Sequence, residues 1–343
     1  MTSGAPWKSE SLEALGVPSM ISTAEQRYLK WLGRTYWQGA GDVLEIGPWL
    51  GGSTVCLARG MESSGHDTTG RLRAVDNFVW REFMADRAAL DLRPGESFEP
   101  QFVANLATHA STVVPELAQL PDDHPEGDPF AADARGAGDS PEAPAFHWTG
   151  GGIEVLFVDG AKSWTAMRHL LAETASSLQA GHSLIVCQDY AYWGGYWVPI
   201  AMAALGDKVE AVHRVAPGGT VTFRVTQQLS AHDAAALPEF ADLAVDQGLN
   251  LLATAAAAMK ARGWSYAGWA VDVARVRFLA HRGERQRAVD ELTRLCETWP
   301  LLLPTTELDG ARRWASEATN APAPVVPHAW MRRVIRRALA GRR

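Results

Sequence analysis

The sequence predicts an α/β protein built on a doubly wound sheet, mostly parallel and closed by an antiparallel edge hairpin, with a helical module behind it. Three observations predict it. Apolar runs of strand length recur at Val43–Ile46, Leu72–Val75, Ile153–Val158 and Ser183–Cys187, the pattern of strands buried on both faces. Val209–Val215 and Thr220–Val225 are joined by Ala216-Pro217-Gly218-Gly219, which reads as a hairpin. From about Gln227 the apolar spacing turns helical.

Taken in order, Ser22–Trp37 reads as a helix, with Ser22 or Thr23 as cap, Glu25 close behind, and Tyr28, Leu29, Trp31 and Leu32 supplying apolar contacts. Val43–Ile46 is the first strand. Gly47-Pro48-Trp49-Leu50-Gly51-Gly52 is a glycine-rich turn, and Ser53 or Thr54 can cap the helix that runs through Cys56 to Met61. Leu72–Asp76 is the second strand. Phe78, Trp80, Phe83 and Met84 follow it, either as cover for a site or as core filling. A third strand is expected near Thr112–Val114. Leu120–Ala145 is rich in Pro, Gly, Ala, Asp and Glu without periodicity, which predicts a surface loop, an insertion over about 120–147. Two further strands deliver Asp159-Gly160-Ala161-Lys162-Ser163-Trp164 and Gln188-Asp189-Tyr190 at their C-terminal ends.

Helices are expected over Leu237–Arg262, Tyr266–His281 and Glu284–Thr298, separated by Gly263 and by Arg282-Gly283. The last pair resembles one tetratricopeptide-like unit, too few for a solenoid, so residues 227–343 are read as a packing or dimerisation module. Trp330–Arg343 forms a short basic amphipathic segment with six arginines, suited to an anionic lipid or acidic protein face, or to docking by its apolar stripe.

The 343 residues allow two domains, and 47% hydrophobic with 21% charged residues is an ordinary globular composition. A net charge of −7 argues against a general nucleic-acid binder, whose footprint is basic. Cys56, Cys187 and Cys296 lie far apart in apolar patterns and support neither a disulfide framework nor a zinc site. There is no basic leader with an apolar core and no apolar run of about 18 residues. A cytoplasmic protein with no integral membrane association, a homo-oligomer acting on small molecules, is expected.

The chemistry concentrates at strand ends. The turn after Ile46 presents N–H groups at a helix start, which favour an anion such as a carboxylate, and Glu45 just before it can accept from an amino group or a ribose hydroxyl. Gly47-Pro48-Trp49-Leu50-Gly51-Gly52-Ser53 departs from G-x-G-x-x-G and places bulk where a pyrophosphate needs bare backbone. Val43-Leu44-Glu45-Ile46-Gly47 through Thr54 instead resembles the first motif of class I S-adenosylmethionine-dependent methyltransferases, in the branch of catechol, caffeoyl-CoA and macrocin O-methyltransferases. The resemblance runs from about Ile21 to Val225 and implies a methyltransferase domain over 1–226 with a Rossmann-like sheet. It implies an S-adenosylmethionine site from Glu45, Gly47, Trp49, Gly51, Ser53, Thr54, Asp76 and Asp159. Asp76, at the tip of the second strand, has the spacing of a ribose-binding carboxylate; the plain alternative is an acid that merely ends a strand.

Asp159 and Asp189, at the ends of adjacent strands, can converge with the Gln188 amide oxygen into an all-oxygen site suited to Mg²⁺. Asp159-Gly160-Ala161-Lys162 matches the D-x-x-K of metal-dependent O-methyltransferases, which implies that Asp159 binds the metal and Lys162 deprotonates the acceptor hydroxyl. Gln188-Asp189 departs from that family's second pattern, because a neutral amide is a weaker ligand. Tyr190, Tyr192, Trp193 and Trp197 form the expected wall for a hydroxylated acceptor, with a lid or dimer contact as the alternative. Biosynthetic tailoring is the family-level expectation. Two other readings stay open: a metal-independent methyltransferase with Asp189 or Tyr190 as base, and a cofactor-binding scaffold without turnover.

Overall fold

The computed structural model describes residues 5–121, 143–192, 194–298 and 312. Most of the expected 120–147 insertion, Trp193 and the Trp330–Arg343 segment lie outside the described residues. The chain divides into two compact units, Met1–Tyr190 with Ala204–Asp242, and Ala191–Ala203 with Leu243–Arg343.

The first unit holds one sheet. Its central strands β1 (Asp42–Ile46), β4 (Ile153–Val158) and β5 (Leu184–Cys187) are buried at every position, which is why they read as near-continuous apolar runs. With β2 (Leu72–Asp76), β3 (Val113–Leu117), β6 (Val209–Arg214) and β7 (Val221–Val225) they form seven strands in the order β3-β2-β1-β4-β5-β7-β6. Neighbours from β3 through to β5 are parallel, and β7 runs antiparallel to both β5 and β6. The architecture is Rossmann-like, and the strand order reverses between β1 and β4. Loops leaving the carboxyl ends of those two strands therefore splay apart around a crevice.

Two charged residues inside central strands have local reasons. Glu154 on β4 accepts from the backbone N–H of Gln38 at 2.6 Å and of Ala40 at 3.1 Å, which ties down the loop entering β1. Glu45 on β1 belongs to the crevice and is treated below.

Helix α1 (Thr23–Trp31) starts on the expected cap: Ser22 accepts from the Glu25 N–H, and the Glu25 carboxylate receives the Ser22 N–H at 2.8 Å. It ends earlier than the sequence predicts, because the chain widens into a π-turn over Leu32–Tyr36 where Gly33 lies against the backbone of Leu57 and Met61. Helix α2 (Gly52–Glu62) is capped by Gly51 in the left-handed region, φ 93°, and not by Ser53 or Thr54. The Ser53 hydroxyl is engaged elsewhere. Helices α3 (Glu99–Asn105) and α4 (Trp164–Thr174) complete the crossovers described, α4 capped by the Ser163 hydroxyl. Phe78 and Trp80 are fully buried and pack on Phe98, so they fill core; Phe83 is exposed.

The expected Leu237–Arg262 helix forms, but it starts later, at Val245. Pro238 disfavours helical backbone at Leu237, and a short α6 (Ala231–Ala235), capped by Ser230 and Asp233, precedes it. This stretch groups with the sheet, so residues 227–242 belong to the first unit.

The second unit contains α5 (Trp197–Ala204) up to Ala203, and α7 (Val245–Ala261), α8 (Ser265–His281) and α9 (Arg285–Thr298). Gly263 and Gly283 end α7 and α8 at φ 74° each, as helix-stopping glycines do. Helix α8 is buried nearly all round, and its Arg277 is fully enclosed, donating to the Gly194 carbonyl and lying 5.3 Å over the Trp197 ring. Among the described residues no helix is long and apolar enough to cross a membrane.

Candidate functional site

The loops after β1 and β4 meet at the switch point through two glycines. A Cβ on Gly47, at φ 85°, would lie 2.7 Å from both the Cα and the N of Gly160. Only glycine satisfies both the backbone angle and the approach. The contact brings Glu45 and Asp159 into one neighbourhood.

Glu45 is fully buried beneath the turn. Ser53 donates its hydroxyl to Oε1, and Oε2 is buried without a hydrogen-bond partner. Burial pushes the carboxyl up to about 7; the Ser53 hydrogen bond opposes the rise, and the charges of Asp159 and Asp76 add to it. A buried, half-satisfied carboxyl marks a position where a further donor is missing.

Asp76, at the tip of β2, accepts from the Phe78 N–H at 2.9 Å and is faced by the backbone N–H of Trp49. Burial raises its pKa while those donors hold it down. The two flanking residues carry positive φ without being glycine, Trp49 at 46° and Phe78 at 51°. Such backbone costs about 1–3 kcal/mol per residue and concentrates at functional sites. Trp49 itself is buried, its indole N–H without a partner.

A Cβ on Gly51 would face the Leu106 and Phe102 side chains at 3.4 and 3.5 Å, and its φ of 93° is what demands glycine there. Thr54 is fully buried, and its hydroxyl faces the Glu45 carboxyl and, like Ser53, holds its pKa down. Gly52, Ser53 and Thr54 open α2 and have no intrahelical acceptors for their N–H groups.

The third group joins the ends of β4 and β5. Lys162 donates to Asp159 Oδ1 at 2.9 Å and also to Asp189 Oδ2. The Gln188 amide, with its nitrogen turned toward the acids, donates to Asp189 and reaches Asp159 Oδ1 at 3.1 Å. Burial would push the Lys162 pKa down, but the two carboxylates outweigh it and hold the ammonium above the ordinary lysine value. Burial likewise raises Asp159, with Lys162 opposing and the charges of Asp189 and Glu25 reinforcing.

This arrangement departs from the roles that the family resemblance implies. A lysine accepts a proton only as the free amine, and the two carboxylates favour the Lys162 ammonium. The Gln188 amide satisfies the acids as a donor, and an ammonium occupies the seat between the two carboxylates. The donors present do not fit a Mg²⁺ ion in this arrangement.

The aromatic wall is also differently placed. Tyr190 is only 1% exposed and packs on Phe223 at 5.1 Å between ring centres, and burial raises its phenol pKa, which opposes a role as base. Trp197 is 2% exposed within the second unit, against the Arg277 guanidinium. Tyr192, in the same unit, is half-buried.

One acid escaped the sequence analysis as a site residue. Glu25 is 4% exposed, accepts from the Thr220 hydroxyl at 2.6 Å, and adds its charge to the field on Asp159. Its capping-box position was the visible signal, and it reads as purely local. A polar hollow lined by Gln38, Gly39, His66, Asp67 and Arg71 sits before β1 and β2, at the opposite edge of the sheet from these groups.

No protein-family model matches the chain, and no curated protein sequence matches it.

Proposed function

We propose that the protein is an S-adenosylmethionine-dependent O-methyltransferase acting on a hydroxyl of a small molecule or sugar. The observation that carries this reading is the buried Glu45 with its unpartnered Oε2, set under the Gly47 turn at the switch point beside Asp76 and Asp159. Ligands of doubly wound sheets bind in that crevice. Lys162 is shared by Asp159 and Asp189 and Arg81 acts on Asp76, while the charges recorded on Glu45 are those of Asp159 and Asp76, so carboxyls outnumber cations and the local field favours a positively charged ligand over a pyrophosphate. A sulfonium with an amino group is such a ligand.

Glu45 Oε2 would take the ligand's amino group, Asp76 a ribose hydroxyl, and the opening N–H groups of α2 its carboxylate. The cofactor supplies an activated methyl group when bound. Asp189 would take the proton of the acceptor hydroxyl as its oxygen bonds the methyl carbon and the carbon–sulfur bond breaks to release a neutral thioether, and the Lys162 ammonium would stabilise negative charge developing on that oxygen. The paired Lys162 and Gln188 favour the metal-independent form of the reaction, so no step runs through Mg²⁺.

Calorimetric titration with S-adenosylhomocysteine, followed by transfer of labelled methyl groups to a polyhydroxylated panel with and without EDTA, tests the reading. Binding by the wild type, weakened in Asp76→Ala by about 1.5–3 kcal/mol for a lost charge-assisted contact, and turnover that survives EDTA are expected. Absence of wild-type binding, or tight NAD binding, overturns the methyltransferase reading. Activity lost to EDTA and restored by Mg²⁺ overturns the metal-independent mechanism alone.

A further inference from the structure

We propose that His147, His169 and Glu173 form a binding site for a divalent transition metal of the zinc type, separate from the switch-point crevice. Each residue offers one ligand atom, and the three atoms lie within 4.8 Å of one another. His169 and Glu173 are four residues apart on α4, a spacing that stacks two side chains on one helix face. His147 comes from the segment that leads into β4.

The donor set is two imidazoles and one carboxylate, which zinc accepts readily and which leaves a fourth position for water. It suits zinc better than the hard cations Mg²⁺ and Ca²⁺, which take all-oxygen shells.

The surroundings resemble the support that metal-binding side chains require. His169 Nε2 lies 2.7 Å from the Phe146 carbonyl, and only a ring N–H satisfies a carbonyl, so Nε2 is the donor and Nδ1 is the ring nitrogen left to ligate an ion. A ring nitrogen donating to a backbone carbonyl is the usual second partner of a metal-ligating histidine. Glu173 Oε2 receives the Trp148 N–H at 3.3 Å and lies 3.3 Å from His147 Nδ1. The His147 and His169 rings meet at 5.9 Å between centres. His147 is exposed while the other two are half-buried, so an ion has a path in and one side chain able to swing onto it.

An ion held there would tie the chain entering β4 to the middle and end of α4. Its binding energy would then add to folding stability.

The test uses the untagged full chain, freed of metal with EDTA and then titrated with ZnCl₂ by calorimetry, and with CoCl₂ to read the visible bands of tetrahedral Co²⁺. One equivalent of Zn²⁺, a raised melting temperature in its presence, and tetrahedral cobalt bands are expected. His147→Ala and His169→Ala should each lower the affinity at least about tenfold and remove the thermal shift, while Asp189→Asn keeps both. His147 is exposed, so its variant retains the fold, checked by circular dichroism. Absence of wild-type binding overturns the proposal, as does binding that persists in the His147→Ala/His169→Ala double variant. Binding lost in Asp189→Asn but kept in His147→Ala places the ion at the Asp159–Asp189 pair and also overturns it.

Discussion

Replacement of Gly47 by alanine tests the joint on which the site depends. The new Cβ would stand 2.7 Å from the backbone Cα and N of Gly160 and 3.1 Å from the Asp159 carbonyl carbon, contacts that no side-chain rotation relieves. Forcing alanine to φ 85° adds about 1–2 kcal/mol. Displacing the packed β4 loop adds about 1–3 kcal/mol. The sum is a loss of about 2–5 kcal/mol. Gly65→Ala separates the two contributions, because Gly65 has φ 87° with nothing within 4 Å of its added Cβ. It should lose only the backbone part, about 1–2 kcal/mol. Urea unfolding of the sheet-bearing unit, followed by circular dichroism and tryptophan fluorescence, measures both variants. Titration with S-adenosylhomocysteine reads the effect on the crevice, where Gly47→Ala should weaken binding and Gly65→Ala should not. If Gly47→Ala is no less stable than Gly65→Ala, the close packing of the two loops contributes nothing and the reasoning fails.

Two further outcomes follow from the charges. Burial lifts the Glu45 carboxyl from its ordinary 4.5 to about 7, so between those values the folded state holds a proton that the unfolded chain has already released. Stability is therefore highest below about pH 4.5 for this group and falls as pH rises to about 7, by roughly 3 kcal/mol at most. Glu45→Gln removes that slope, so urea midpoints of wild type and variant should diverge between pH 5 and 8 with the variant gaining; parallel curves would show that Glu45 does not titrate there. Lys162→Met leaves Asp159 and Asp189 facing each other without the ammonium they share, and Asp159 should titrate higher still. Turnover should drop about a hundredfold with S-adenosylhomocysteine affinity nearly unchanged, and a variant as active as wild type would take Lys162 out of the mechanism.

Much of the first unit was readable from the chain alone because its strands are buried on both faces. Burial on two sides forces continuous apolar runs, and Val43–Ile46, Ile153–Val158 and Leu184–Cys187 carry them. Strand ends rich in acids and glycines then marked Glu45, Asp76, Asp159 and Asp189 as a group, since the topology brings carboxyl ends to one edge. What each acid does was not readable. Whether Ser53 caps α2 or bonds Glu45, and whether Lys162 stands as base or as counter-ion, depends on side-chain geometry at the strand ends and on the meeting of Lys162 with Asp189, 27 residues away on the next strand. Glu25 shows the same limit: its contact with Thr220 spans 195 residues, and only packing of α1 across the sheet edge creates it. Aromatic residues were equally ambiguous, because Tyr190 and Trp197 have the composition of a binding wall and the burial of a core. The local sequence thus determined which groups lie at the strand ends, through hydrophobic periodicity and turn chemistry. The tertiary structure decided their charge states and accessibility, because desolvation and Coulomb interactions depend on neighbours that no local pattern records.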